Sequence, residues 1–178
     1  MFEKVLGSSM LWKAQDRGIV SYEYIPLRDF GIGPRKQVDD TPYGGGDGML
    51  LRPEPVVAAI EQAKAADPDA TVVLPTPRGK MYKQSDAKQF AAADKGLILV
   101  CPRYEGYDEH ITKWVDRQVC IGNYVLTGGE LPAMIVIDSV VRLLPGVLGG
   151  ETSAEIESFQ ADDTNVEFPQ YTRPEDFR

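Results

Sequence analysis

Apolar residues at helical spacing open the chain: Phe2, Val5, Leu6 and Met10 predict an amphipathic helix that ends at Gly18. Val20, Tyr22 and Tyr24 alternate, which predicts a short strand over 19–25. Residues 31–55 hold six glycines and four prolines, too many for regular structure. A segment that long without regular structure inside one domain is usually functional or disordered. Residues 53–66 read as a helix with Pro53 near its start, where the missing N–H costs nothing. Residues 72–74 and 97–101 are continuous apolar runs and predict buried strands. Between them, 85–94 reads as a helix capped by Ser85. A short helix over 108–115 and a short strand over 124–126 follow. Residues 129–144 form the longest helix, apolar around most of its circumference and therefore expected to be buried. Strands alternating with helices, and strands apolar on both faces, predict an α/β fold: a mostly parallel sheet flanked by helices.

Length and composition agree with one globular domain. The chain has 178 residues, 43% hydrophobic and 26% charged. No apolar run approaches the roughly 18 residues of a membrane span, and no secretory signal is visible, so a cytoplasmic protein is expected. One histidine and two scattered cysteines, Cys101 and Cys120, exclude a multi-histidine metal site and a disulfide framework. The net charge of −8 argues against a nucleic-acid partner when taken alone. Its distribution changes that. Residues 150–178 carry eight acids and two bases, leaving 1–149 at only −2. Arg28, Arg35, Lys36, Arg52, Arg78, Lys80, Lys83 and Lys88 crowd one stretch, as a basic face or as scattered solvated charges. The acidic segment after Gly150 has few apolar anchors and reads as a mobile arm.

Parallel sheets bind ligands at the carboxyl ends of their strands. Three unusual loops lie there: Pro75-Thr76-Pro77-Arg78-Gly79, Pro102-Arg103-Tyr104-Glu105-Gly106, and the stretch from Ile121 to Gly129. They are candidates for the walls of one cleft. Familiar motifs fail. Gly44-Gly45-Gly46-Asp47-Gly48 lacks the Gly-Lys-Ser/Thr ending of a phosphate loop, and there is no Gly-x-Ser-x-Gly elbow. His110, alone on a short helix, reads as a surface residue.

Five segments occur in a telling order: Pro42-Tyr43-Gly44-Gly45-Gly46, Arg103-Tyr104-Glu105-Gly106, the stretch Ile121-Gly122-Asn123-Tyr124-Val125-Leu126-Thr127-Gly128-Gly129-Glu130-Leu131-Pro132-Ala133, Pro145-Gly146-Val147-Leu148-Gly149 and Tyr171-Thr172-Arg173-Pro174. Together they resemble the bacterial tRNA (guanine-N1)-methyltransferase family of the knotted SPOUT superfamily. The resemblance implies a deep trefoil knot near the C-terminal half, an exception to the rule against knotted chains. It implies methylation of N1 of guanine 37, beside the anticodon of tRNA, by S-adenosylmethionine in a homodimer with the active site at the interface. It covers the catalytic domain, here residues 1–150. Residues 151–178 would then be the acidic linker toward a helical tRNA-binding domain, and the family's first strand has no counterpart ahead of Met1.

The resemblance also assigns residues. Leu74, Thr76, Pro77, Pro102, Tyr104, Glu105, Ile121, Gly122, Asn123, Tyr124, Val125, Leu126, Gly128, Gly129 and Pro132 would hold the cofactor, with no metal. Glycines there let backbone approach a ligand closely. Guanine N1 carries a proton near neutral pH, so methylation needs a base at N1, a donor for charge growing on O6, and a methyl held in line. Arg142 would be the charge stabiliser; the alternative is a salt bridge at a helix end. Glu157, where the family has aspartate, would be the base; the alternative is one more acid of a solvated segment. The chain also departs from the family at Pro102 (glycine), Asn123 (aspartate), Arg78 (glutamine) and His110 (arginine). Pro102 removes a backbone donor beside the cofactor loop, and Asn123 removes a negative charge. Two other functions fit these residues: a knotted cofactor-binding domain with little turnover, and methylation of another RNA nucleoside.

Overall fold

The two apolar runs meet at the centre of a three-stranded parallel sheet. In the computed structural model, which describes residues 1–149, 157–159 and 164–173, the strand order is β4–β3–β5, with β3 (Thr71–Met81) in the middle. β4 (Leu97–Leu99) and β5 (Arg117–Cys120) flank it, both parallel to it. Val72 and Leu74 face α3 (Pro53–Ala66) and pack with Val56, Ile60, Val100 and Ile111. Val73 faces the other side, onto Ala87 of α4 (Gln84–Ala92) and Val136 and Val140 of α5 (Glu130–Val141). A strand covered on both faces has no polar side to show, which is why its sequence runs apolar without alternation. Val72, Val73 and Leu74 are almost fully enclosed. Burial of that kind contributes roughly 1.5–3 kcal/mol per side chain.

The N-terminal apolar residues build a third cluster. Two short helices, α1 (Phe2–Leu6) and α2 (Ser9–Asp16), place Leu6, Leu11 and Ala14 against Val141 and Val147 beyond the end of α5. The expected single helix is broken at Gly7-Ser8, where Ser8 is extended and its hydroxyl donates to the Lys4 carbonyl (2.6 Å). The strand expected over 19–25 does not form. Ile19, Val20 and Tyr22 pack onto the same cluster, so the alternation reflects contact with helices rather than a sheet. No helix among the described residues is long and apolar enough to cross a membrane.

Other boundaries also move. The glycine- and proline-rich segment carries a two-strand antiparallel pair, β1 (Asp39–Asp40) with β2 (Leu50–Leu51), after a 3₁₀ turn at Leu27–Phe30. α4 starts after Lys83, whose backbone N–H is bound by the Asp86 carboxylate (3.0 Å), so Ser85 lies in the first turn rather than at the cap. The helix expected over 108–115 is a 3₁₀ helix, Glu109–Trp114, capped by Asp108. Residues 124–126 are not a strand; the third strand is β5, whose Arg117 and Gln118 hide it from an apolar scan. α5 is not buried all round, for Leu131 and Ile135, four apart, are 50% and 44% exposed.

β3 outruns its apolar run and carries the first of the three loops within it. Pro75 and Lys80 both lie opposite Val119, so residues 76–79 leave the ladder and return to it. Pro77, with no N–H, is tolerated on such an excursion. Gly79 closes it flat against β5, where an added Cβ would sit 2.4 Å from the Val119 nitrogen. The Gly79→Ala variant is expected to lose about 2 kcal/mol or more, because rigid backbone must move to admit the methyl. Urea unfolding checks this; a midpoint equal to wild type would contradict it.

Candidate functional site

The carboxyl ends of the three strands open into a cleft of about 430 Å³, within the size range of small-ligand sites. Its walls are the excursion of β3, the loop after β4 and the loop after β5, with Leu50 of β2 and Pro132 of α5 at its edges. Two of the expected cofactor residues lie outside it. Leu74 is fully enclosed in the core beneath α3, and Asn123 is exposed and does not line the cleft. The other expected residues line it. Sequence reasoning missed Leu50, Val119 and Cys120 because β2 and β5 were not foreseen as strands. The apolar run Val119-Cys120-Ile121 was the available signal for β5.

Backbone contacts hold the walls together. The Gly129 N–H, at the N-cap of α5, donates to the Pro102 carbonyl (2.7 Å). A Cβ on Gly129 would come within 2.8 Å of the Cys101 Cα, so only glycine lets the two loops touch. Arg103 and Glu130 lock the same junction with an Nε–Oε1 ion pair of 2.7 Å. On the other side, the Glu105 N–H donates to Met49 and the Leu51 N–H to Gly106, both at 3.0 Å, joining the second loop to the glycine-rich segment. Tyr104 sits between these anchors with φ +61°. For a bulky residue that conformation costs on the order of 1 kcal/mol or more, and it persists only where surrounding contacts impose it.

The polar groups at the cleft are few and tied down. Buried Tyr107 donates its hydroxyl to Thr76 (3.3 Å). The Arg78 guanidinium lies over the Tyr107 ring, 5.6 Å from its centroid, and pairs with Glu109 (2.7 Å). Such a stacked cation is held in place at little entropic cost. Burial, reinforced by Glu130, pushes the Cys101 thiol up to about 12, so it stays protonated and is no nucleophile. No cluster among the described residues has the makings of a metal site.

The two expected catalytic residues meet each other, away from the cleft. Arg142, the C-cap of α5, grips Glu157 with two hydrogen bonds, 2.7 and 2.5 Å. This ties Glu157 of the acidic segment to the body; residues 150–156, 160–163 and 174–178 of that segment lie outside the described residues. Hydrogen bonding to Arg142 holds the Glu157 carboxyl below the ordinary glutamate range. From Gly129 to Arg142 the helix rises about 20 Å, at 1.5 Å per residue. Neither Arg142 nor Glu157 lines the cleft. A lowered folded-state pKa gives stability above the ordinary glutamate range and loses it as pH falls through the lowered value. The stability gap between wild type and Glu157→Gln is thus expected at neutral pH and should close in acid. Unfolding midpoints measured across that range check this, and a pH-independent gap would contradict it.

Comparisons with known proteins agree with this geometry. The family model described as tRNA (Guanine-1)-methyltransferase TrmD matches residues 1–178. A tRNA (guanine-N(1)-)-methyltransferase of Anaeromyxobacter sp. (strain Fw109-5) is 51% identical over 178 residues, covering 100% of this chain and 71% of the relative. One from Geobacillus kaustophilus is 49% identical over 179 residues, covering 100% of this chain and 72% of the relative. The crystal structure of a tRNA (m1G37) methyltransferase from Aquifex aeolicus superposes with a TM-score of 0.79 at 34% identity, covering 98% of this chain and 72% of that one. A parallel sheet whose strand ends carry this cleft, matched along its whole length by sequence and by structure, places the chain in the TrmD family of tRNA (guanine-N1)-methyltransferases.

Proposed function

We propose that this chain methylates N1 of guanine 37 in tRNA, with S-adenosylmethionine bound in the cleft as donor. The observation that carries the reading is the cleft itself: three strand-end loops joined by backbone contacts, in a chain of this family. The cleft fits the donor. It has room for a nucleoside-sized ligand, it offers apolar walls at Ile121, Leu126 and Pro132 for an adenine, and Glu105 supplies a carboxylate for the ammonium group of the methionine tail. When bound, S-adenosylmethionine supplies a methyl carbon made electrophilic by the adjoining sulfonium. The close approach of Gly129 to Cys101 and Pro102 is compatible with the family's trefoil knot.

The remaining steps belong to the side chains. Glu157 takes the N1 proton, which frees the N1 lone pair as the nucleophile; the donor would supply the methyl, its carbon–sulfur bond breaking to leave a neutral thioether. Arg142 donates to O6 as negative charge grows there. Its two terminal nitrogens already hold Glu157, which fixes a donor beside an acceptor. That order matches the O6 acceptor and N1–H donor on the guanine edge. The ion pair keeps Glu157 ionised at neutral pH, ready to accept the proton.

The distance along α5 favours a second copy in the active unit. One protomer contributes the cleft and its partner the Arg142–Glu157 pair, so the site is shared across a homodimer. Exposed Leu131 and Ile135 on α5, with Tyr124 and Val125 (55% and 87% exposed) on the adjoining loop, supply an apolar stripe for that contact beside the cleft. A tRNA substrate places the enzyme in the cytoplasm. By the same geometry a lone protomer would bind the cofactor and turn nothing over.

Incubation with tRNA and labelled S-adenosylmethionine, followed by mass spectrometry of the nucleosides, tests the reading. N1-methylguanosine at position 37 is expected; another methylated nucleoside, or none, would overturn it. Arg142→Ala and Glu157→Gln should each lower turnover by about a hundredfold or more, from the loss of one charge stabiliser or one general base, while cofactor affinity holds. Undiminished turnover in either would remove that residue from the mechanism.

A further inference from the structure

The glycine-rich segment beside the cleft holds the most exposed aromatic residue of the body. Tyr43 is 107% exposed, its ring wholly in water. A tyrosine left out in this way forgoes the burial that usually stabilises an aromatic side chain. The backbone is built to keep it there. The Gly45 N–H closes a turn onto the Pro42 carbonyl (3.2 Å), and Gly44, at the third position of that turn, has φ +88°. This is the arrangement of a type II turn, which demands glycine at that position and leaves the second residue, Tyr43, at the outer corner.

The turn stands on a firm base at the edge of the cleft. Arg52 pairs with Asp40 (3.0 Å) and with Glu54 (3.0 Å), and its N–H donates to the Val38 carbonyl (2.9 Å). The Asp40 carboxylate also accepts the Thr41 N–H (2.8 Å). At the other end, Met49 is tied to Glu105, and the next residue, Leu50, lines the cleft. Loop and cleft wall therefore form one unit.

We propose that Tyr43 is a base-stacking residue: its ring packs on an unpaired purine of the substrate RNA next to the target guanine. The proposal rests on the methyltransferase reading given above. Charge selects the base over the phosphate as the contact, since the charged residues of 39–48 are Asp39, Asp40 and Asp47, all acidic. Acids repel a phosphate, whereas a neutral ring face attracts a neutral base. A protein partner fits poorly, because the three residues that follow Tyr43 are glycines and add no apolar side chain for a second chain to cover. Flexible anticodon loops present the unstacked bases that such a ring requires.

The test uses the full chain and tRNA carrying 2-aminopurine at the position on either side of the target guanine. Wild-type protein should methylate this tRNA and quench the probe at one of the two positions. Tyr43→Ala should abolish the quench and weaken tRNA binding by roughly five- to a hundredfold, the range for losing one stacked base. Tyr43→Phe should restore both, and Tyr43→Leu, apolar but without a ring, should not. Calorimetric affinity for S-adenosylmethionine should be the same in all four proteins, which separates stacking from damage to the fold. Wild-type methylation with unchanged quench and affinity in Tyr43→Ala would overturn the stacking role alone. A wild-type protein that leaves this tRNA unmethylated would overturn the methyltransferase reading, and the stacking role with it.

Discussion

One contact governs the shape of this protein: the backbone of Gly129 lying directly on the backbone of Cys101 and Pro102. It fixes where α5 begins, it brings the second and third strand-end loops together, and it makes one wall of the cleft. No side chain longer than hydrogen fits there. Gly79 repeats the device across the cleft, lying on the backbone of β5. The contact also tolerates a proline at position 102. The junction uses the Pro102 carbonyl rather than its missing N–H, so this proline sits in the wall without breaking it.

From that contact α5 runs as a strut. Its first turn edges the cleft, and its last residue abuts the capping Arg142 bound to Glu157. Around it pack α4 and the sheet on one side, and the two N-terminal helices at its far end. The strut keeps the cleft and the Arg142–Glu157 pair apart. Under the proposed function, that separation is a way to build one site from two chains. An enzyme assembled in this way is active only when its dimer forms, and its activity then depends on protomer concentration.

Much of this was legible in the residues. The continuous apolar runs at 72–74 and 97–99 announced a parallel sheet; the first is enclosed at its centre and the second, half-buried, forms one edge. The three loops were legible as walls of one cleft because parallel strands end on the same edge. Other features were hidden for physical reasons. β5 opens with Arg117 and Gln118, which no apolar pattern captures. The stretch 19–25 alternates because it lies along helices, a contact whose period resembles that of a sheet. Leu74 is a core residue whose neighbour Pro75, not itself, reaches the cleft, and Asn123 is exposed on a loop most of whose residues line the cleft. Spacing alone said nothing of the meeting of Arg142 and Glu157. A chain reversal across 15 positions leaves no periodic trace, and only the family resemblance pointed to the two residues.

The central claim is that cleft and catalytic pair act across two protomers, and complementation tests it most directly. Ile121→Arg sets a cation in the cleft, where it repels the cationic donor; Arg142→Ala removes the charge stabiliser from the other end of α5. Each variant alone should be inactive. Mixed dimers should regain a measurable share of wild-type methylation, because one of their two sites combines an intact cleft from one protomer with an intact pair from the other. Mixed dimers that form and stay inactive would contradict the account, and would mean that each protomer completes its own site.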